Sequence, residues 1–330
     1  KSTKNKFIVN DFMPEEKLDY LKHIENCISS EIKKEVSDNH VSVALSGGVD
    51  STACMLLMPS ETVLCYHERT GFDSQLNHSN AHRFIEQLTK DGRHVVTISS
   101  DHETIRMDHE KGPGFSTDLA GAVHVILLAD YFELDAIAMG MPLENAYLFH
   151  GHTGRDFSKS NFWKTNHENV RKAGLDLLFP TAGVSEVINQ KIVESSKYEN
   201  FAESCLRSKK KGEVCGICWK CFRKNSMKGK GVRLEGETAV FLDKRPLKQA
   251  ISSLYAIQRL PENQLTQIKE EHLDLIELLE NDYSLIERHL PLAFDLLPND
   301  YASTIRPRIE NISKPMTKKE ISTLLKMQLK

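Results

Sequence analysis

The chain lacks several features, and each absence narrows the class of protein. Its 330 residues contain no run approaching the ~20 consecutive apolar residues that span a bilayer, and no charged-then-apolar leader opens it. Its formal net charge is only −3, which argues against a protein dominated by nucleic-acid binding. With 40% hydrophobic and 27% charged residues, the composition is that of a globular protein. We therefore expect a cytoplasmic protein without a membrane segment.

Cysteine is scarce, and four of the seven cysteines are bunched. Such usage suits a metal site in a reducing compartment better than a disulfide framework. The bunched residues are Cys205, Cys215, Cys218 and Cys221, which form two consecutive C-x-x-C steps with a fourth cysteine upstream. Four thiolates can close a tetrahedral Zn²⁺ site and leave no open coordination position. We predict a structural zinc site, with an iron–sulfur cluster as the rival.

Apolar runs alternate with helical patterns through the first half of the chain. The runs predict four strands, at residues 41–45, 62–66, 94–98 and 136–139. Amphipathic or apolar patterns predict helices over residues 14–34, 74–90 and 117–132. Strands that alternate with helices predict an α/β fold with a doubly wound parallel sheet.

The second half of the chain is less regular. Residues 143–173 are rich in polar side chains and predict a long loop or lid with at most one helix, and residues 180–198 predict a helix. Helical stripes dominate from Val232 onward. We therefore predict two domains, residues 1–231 carrying the sheet and the zinc knuckle, and residues 232–330 forming a helical appendage.

A glycine-rich turn, S-G-G-V-D-S at residues 46–51, separates the first predicted strand from a predicted helix. Backbone N–H groups of such a turn converge on an anion, and the helix N-terminus adds partial positive charge. Ser46 and Ser51 can donate hydrogen bonds, whereas Asp50 implies a Mg²⁺ ion shared with phosphates. The lysine of the Walker motif is missing, which argues against a Walker-type kinase or NTPase.

This turn resembles the S-G-G-x-D-S loop of the PP-loop ATP pyrophosphatases (the adenine nucleotide alpha hydrolase-like fold). The resemblance implies cleavage of ATP between its α and β phosphates, with AMP left on an activated substrate. It assigns nucleotide binding to the whole turn and catalytic roles to two of its residues, Asp50 and Ser51. The nucleotide-binding residues are Ser46, Gly47, Gly48, Val49, Asp50 and Ser51.

The turn and the late C-x₉-C-x₂-C-x₂-C cluster together resemble the 7-cyano-7-deazaguanine synthase family, over residues 41–225. The resemblance implies that ATP adenylates the carboxylate of 7-carboxy-7-deazaguanine and that ammonia then displaces AMP. By analogy the backbone of the second strand holds the adenine, around Cys65, Tyr66 and His67. The zinc is then expected close to the substrate pocket.

Two segments depart from the family pattern. Residues 113–116 replace an Arg-Asn pair, and residues 141–145 replace a Tyr-Pro-Asp-Cys-Arg segment. The chain therefore resembles a divergent branch of the kind found beside anti-phage defence genes, in which a protein amine takes the place of ammonia. Residues 143–173 and 232–330 are the candidate docking surface for such a partner protein, and a homodimer is also considered.

Two further side chains are catalytic candidates. Lys111 could neutralise the pyrophosphate leaving group, where negative charge develops. Glu144 follows the fourth strand and, like His67, could orient the substrate or transfer a proton.

Two other functions stay open. A PP-loop tRNA-modifying ligase or thiolase would also use adenylation, but would need a basic track for RNA, for which only residues 209–211 and the basic side chains from Arg223 to Lys230 are available. A non-catalytic nucleotide-sensing module would bind ATP without turnover.

Overall fold

The structure is a computed structural model that describes residues 40–69, 77–101, 104, 108, 119–149, 151–203, 205, 208 and 213–329. Its strands alternate with helices, as the sequence predicts. The strands are β1 (Val41–Leu45), β2 (Val63–Arg69), β3 (Val95–Ser100), β4 (Ala136–Met139), β5 (Leu148–Phe149), β6 (Thr153–Gly154) and β7 (Asp176–Leu178).

Five of these strands form one parallel sheet, in the order β3-β2-β1-β4-β7. Strand β1 is central: Val43 pairs with Leu64 of β2 on one side and with Ala138 of β4 on the other. The chain winds outward in both directions from the β1–β4 pair. Ligands of open α/β sheets bind beyond the carboxyl ends of the strands at such a reversal point.

Helices are distributed along the whole described chain. They are α1 (Val49–Leu57), α2 (Ser79–Lys90), α3 (Val123–Leu127), α4 (Leu143–Ala146), α5 (Asn161–Lys172), α6 (Glu186–Glu194), α7 (Trp219–Met227), α8 (Glu237–Leu242), α9 (Ala250–Ile257), α10 (Glu262–Glu271), α11 (Ile276–Leu279), α12 (Asn299–Glu310) and α13 (Lys318–Lys326). Short 3₁₀ segments lie at Leu119–Ala122, Phe157–Lys159, Leu273–Leu275, Ser284–Glu287 and Pro291–Leu296.

Both faces of the sheet are buried under helices. Successive strand residues alternate between two hydrophobic clusters, so that Leu64 belongs to one and Cys65 to the other. Helices α1, α2, α6 and α12 contribute to the first cluster, and α3, α4 and α9 to the second. Strands that are buried on both faces have continuous apolar runs in their sequence. This explains why the sequence predicts the four longer strands, β1 to β4.

The helices after residue 232 pack directly on the sheet layers. Ile305 and Ile309 of α12 are buried in the same cluster as Val41 of β1. The Arg308 guanidinium of α12 donates hydrogen bonds to the carbonyls of Leu57 (3.0 Å) and Met58 (2.7 Å), at the C-terminus of α1. A cation there complements the helix dipole. The division of the chain at residue 232 stays a prediction.

The structure also corrects several predicted elements. It adds β7 to the sheet, starts α2 at Ser79 rather than at residue 74, and replaces much of the helix over 117–132 by a 3₁₀ segment, the short α3 and a turn. Residues 143–173 contain α4, a β5–β6 hairpin and α5. The helix over 14–34 lies outside the described residues. None of the described helices has the length and apolar character needed to cross a membrane.

Candidate functional site

The S-G-G-V-D-S turn joins β1 to α1 at the reversal point of the sheet. Gly47 has φ +72°, a left-handed conformation that a glycine adopts without strain. Gly48 is the residue before the first turn of α1, and no side chain caps that helix end. Inside the turn, the Ser46 and Ser51 hydroxyls lie 2.9 Å apart, and Ser51 Oγ donates to the Gly48 carbonyl at 3.1 Å. The uncapped N-terminus of α1 is therefore available to an anion.

Strand β4 ends against this turn. A Cβ added to Gly140 would lie 2.5 Å from the Asp50 carbonyl oxygen and 2.7 Å from the Ser51 nitrogen. Only a glycine fits at such a distance from a neighbouring backbone. Gly140 therefore lets β4 lie beside the turn at the reversal point.

Asp50 is half-buried in the first turn of α1. Its Oδ1 accepts a 2.9 Å hydrogen bond from Asn189 Nδ2 of α6, and Asn189 is fully buried. Burial raises the pKa of Asp50, while the Asn189 hydrogen bond and the nearby cations of α7, with Lys220 the strongest, oppose the rise. A carboxylate held in this way suits a Mg²⁺ ion, which prefers oxygen ligands.

The four bunched cysteines meet in space. Their sulfur atoms all lie within 4.8 Å of one another, with Cys218 Sγ at 3.5 Å and Cys215 Sγ at 3.8 Å from Cys221 Sγ. Tetrahedral zinc with Zn–S bonds of about 2.3 Å places its sulfurs about 3.8 Å apart. The four cysteines could therefore bind a metal such as zinc.

Helix α7 begins within the cysteine cluster. Cys218 precedes the first residue of α7, and Cys221 lies in its first turn. Side chains of neighbouring helices hydrogen-bond to the backbone of the cysteine-bearing segment: Thr238 Oγ1 of α8 donates to the Ile217 carbonyl at 3.0 Å, and Asn80 Nδ2 of α2 donates to the Glu213 carbonyl at 2.9 Å. A metal bound to the cluster would fix α7 relative to α2 and α8.

A cavity of about 410 Å³ separates the S-G-G-V-D-S turn from α7. One wall is the turn, with Ser46, Asp50 and Ser51 among its lining residues, and Gly140 lies beside it. The opposite wall is α7, and the segment before α9 contributes a third side. The basic side chains of the lining are Lys220, Arg223, Lys224 and Lys248, and the acidic ones are Asp50 and Glu186.

The acidic groups of the cavity already have partners. Arg223 Nη2 lies 2.9 Å from Glu186 Oε1, and the Arg223 side chain is only 5% exposed. The Arg223 guanidinium also lies over the Trp219 ring, with Cζ 4.2 Å from the ring centroid. The described lining thus holds four basic and two acidic side chains, which is an excess of positive charge.

Glu144 lies behind the cavity rather than on its wall. Its side chain is fully buried, and its carboxylate accepts hydrogen bonds from the Glu186 backbone N–H (3.1 Å) and from Ser252 Oγ. Burial, with a smaller contribution from Glu186, raises the pKa of Glu144 to about 8. This geometry caps the N-terminus of α6, and the proposed contact of Glu144 with substrate stays a prediction.

The other predicted nucleotide-binding residues lie on β2. Cys65 and Tyr66 are buried, and Tyr66 hydrogen-bonds His78 through its hydroxyl. His67 hydrogen-bonds Ser100 and stacks on His124 at 4.8 Å between ring centroids. These three side chains are not among those that line the described cavity, so a role for β2 would rest on its backbone, as the resemblance implies.

The predicted catalytic Lys111 lies outside the described residues. The sequence does not identify the cavity residues Trp219 and Lys248 as ligand contacts, nor Asn189 as the partner of Asp50. The spacing of Lys220, Arg223 and Lys224 is a usable signal, since residues three and four apart share one helix face. Asn189 and Lys248 have no such local signal.

Comparison with known proteins supplies one match. Residues 167–328, just under half of the chain, match the model of a family of unknown function (DUF6395). The match covers the cysteine cluster, α7 and the helices after residue 232, and it excludes the S-G-G-V-D-S turn. No curated protein sequence matches the chain. No model of a PP-loop or 7-cyano-7-deazaguanine synthase family matches it either.

Proposed function

We propose that this protein is an AMP-forming enzyme that uses ATP to adenylate the carboxylate of a deazapurine acid such as 7-carboxy-7-deazaguanine. An amine then attacks the activated carboxylate and releases AMP, so that a C–N bond forms. The amine is ammonia or an amine of a partner protein.

The observation that carries the proposal is the opposition of two cationic surfaces across one cavity. The uncapped N-terminus of α1 follows the S-G-G-V-D-S turn on one side, and the basic face of α7 lies on the other. Both attract phosphate oxygens. The negative charge of a nucleoside triphosphate suits a cavity lined by two such surfaces.

Different residues of the cavity have different roles in adenylation. Backbone N–H groups of the turn and the hydroxyls of Ser46 and Ser51 bind phosphate oxygens, and Asp50 is the residue that would hold Mg²⁺. The ion neutralises charge on the phosphates when it is bound. Lys220 and Lys224 of α7 stabilise the negative charge that develops on pyrophosphate as the α–β bond breaks.

A metal in the cysteine cluster has a structural part in this proposal. Its four ligands are all cysteines, so no coordination position is open for substrate. It would hold the start of α7, and with it the basic wall of the cavity. Zinc fits the sulfur spacing and is the metal we propose.

The choice of a deazapurine acid rests on the resemblance of residues 41–225 to the 7-cyano-7-deazaguanine synthase family. A tRNA substrate receives less support, because Arg223 is only 4% exposed and is paired with Glu186 inside the cavity. The Arg223 side chain therefore cannot contribute to an RNA-binding surface.

Pyrophosphate release tests the proposal. The full chain is incubated with Mg²⁺-ATP and 7-carboxy-7-deazaguanine, with and without ammonium, and products are identified by mass spectrometry. With ammonium we expect pyrophosphate and AMP in equal amounts, and without it pyrophosphate with AMP still bound to the acid. We expect no release with Asp50→Ala and normal release with the exposed control Asp130→Ala. Pyrophosphate release that does not need the acid, or its absence under all these conditions, would contradict the proposal.

A further inference from the structure

The segment that leads into α9 brings a lysine to the cavity from outside the region that resembles deazapurine synthases. Helix α9 packs against α7, and the two residues that precede it, Lys248 and Gln249, line the cavity. Lys248 Nζ lies 4.2 Å from the centroid of the Trp219 ring, the same ring that Arg223 covers. The C-terminal helices thus place a second cation beside Arg223.

The backbone at this position is held in an unusual conformation. Gln249 has φ +53° and ψ +54°, the left-handed region that non-glycine residues rarely adopt. Its side-chain amide donates to Asn145 Oδ1, and a Cβ on Gly151 would lie 2.5 Å from the Gln249 α-carbon. The Ile251 N–H donates to the Gly151 carbonyl at 3.0 Å. Strained residues held by their surroundings cluster at ligand sites.

An independent observation indicates an anion at the same wall. Arg223 is 4% exposed and lines the cavity, and its Nε and Nη1 atoms are buried without a hydrogen-bond partner among the described residues. Its ion pair with Glu186 uses Nη2. Buried guanidinium N–H groups without acceptors are costly, and an anionic ligand is the natural acceptor.

We propose that Lys248 is a phosphate-binding residue that the C-terminal helices insert into the cavity. Together with Arg223 it binds the end of a di- or triphosphate chain whose other end lies at the S-G-G-V-D-S turn. The inference rests on the proposed function for the identity of this anion as the phosphate chain of the nucleotide. It makes the C-terminal helices part of the nucleotide site.

The binding of inorganic pyrophosphate tests this assignment without any turnover. Isothermal titration calorimetry compares Mg²⁺-pyrophosphate binding to the full chain and to Lys248→Gln, Lys248→Arg and Lys244→Gln. Lys244 is exposed like Lys248 and carries the same charge, but it lies outside the cavity lining. We expect Lys248→Gln to raise the Kd for pyrophosphate by roughly tenfold or more, because the variant loses one charge-assisted hydrogen bond. Lys248→Arg should retain most of the affinity, and Lys244→Gln should bind like the unmodified chain.

An unchanged Kd for Lys248→Gln would overturn the assignment, and so would an equal loss for Lys244→Gln, which would show a diffuse charge effect. Thermal unfolding checks that each variant is folded. If Lys248→Gln is destabilised, Lys248→Met replaces it, because its unbranched stem can still cover Trp219. The test distinguishes this inference from the proposed function. If pyrophosphate binding depends on Lys248 but the protein does not adenylate the acid, only the proposed function is wrong. If the protein adenylates the acid but pyrophosphate binding does not depend on Lys248, only this inference is wrong.

Discussion

Gly140 at the end of β4 lies directly against the backbone of Asp50, the acidic residue of the S-G-G-V-D-S turn. A Cβ at Gly140 would come within 2.5 Å of the Asp50 carbonyl oxygen. Strand β4, whose residues pair with β1 residues 95 positions earlier in the chain, therefore approaches the turn at the reversal point of the sheet through a glycine. The position of Asp50 depends on this contact as well as on its hydrogen bond with Asn189.

Replacing Gly140 by Ala tests that dependence. The added methyl group must push β4 away from α1, and overpacking of this kind costs about 1–3 kcal/mol. We expect the free energy of unfolding to fall by that amount in urea titrations, and nucleotide binding to weaken further. Gly231→Ala is the matched control, because its Cβ would meet only the end of the Gln264 side chain at 3.6 Å. Equal stabilities of the two variants would show that the close approach is unimportant.

Removing one ligand of the cysteine cluster should remove the metal and loosen α7. We expect the purified chain to contain about one zinc, the number that a single four-cysteine site holds. Cys218→Ser should lose this metal and unfold at lower temperature, as measured by elemental analysis and calorimetry. Cys54→Ala serves as the control, since Cys54 is buried in α1 away from the cluster. Full zinc content in Cys218→Ser would contradict the assignment, and iron in place of zinc would favour the rival cluster.

The buried Glu144 carboxyl should make stability depend on pH. Its pKa rises from 4.5 to about 8 on folding, mainly because the side chain is buried. Between these values the folded protein keeps a proton that the unfolded chain releases, so stability falls as pH rises. Its contribution is fully present below pH 4.5 and lost as pH rises through about 8.

The glutamine variant isolates this contribution. Glu144→Gln cannot ionise, so its free energy of unfolding should fall less with pH, by a difference on the order of a few kcal/mol. Urea unfolding across this pH range measures the difference, and the exposed Glu199→Gln gives the background. Parallel pH profiles for Glu144→Gln and the unmodified chain would rule out a neutral buried Glu144.

Truncation tests the predicted boundary at residue 232. A chain that ends at Gly231 loses Ile305 and Ile309 from the cluster over β1, and we expect no cooperative unfolding transition in calorimetry. A folded truncated chain would support an independent first domain.

The point variant Arg308→Ala tests the contact between α12 and α1. It removes the hydrogen bonds to the end of α1 and should lower the free energy of unfolding by about 1–3 kcal/mol, whereas the exposed Lys314→Ala should change it little.

The sheet could be predicted from sequence only where its strands are long enough to leave a pattern. The first four strands carry apolar runs that are bounded by polar or glycine residues. Strand β7 is three residues long, between Gly174 and Pro180, and such a short run does not stand out. The helix expected over 117–132 ends at Leu127, and residues 128–133 form a turn in which Glu133 has φ +51° before β4 begins.

Only part of the candidate site could be predicted from the sequence. The S-G-G-V-D-S turn and the cysteine cluster are local in sequence, so both could be recognised before the fold was known. Asn189 reaches Asp50 because α6 packs beside α1, and Lys248 reaches the cavity because α9 packs beside α7. A contact of that kind depends on the tertiary structure, and no local pattern encodes it.

The central claim is that ATP activates a carboxylate by transferring AMP to it. A heavy-oxygen label on the carboxylate of 7-carboxy-7-deazaguanine follows this transfer directly, because one carboxylate oxygen must leave with AMP when the amine attacks. The account predicts labelled AMP and unlabelled pyrophosphate by mass spectrometry. Label in inorganic phosphate, or AMP without label while the C–N bond forms, would contradict it.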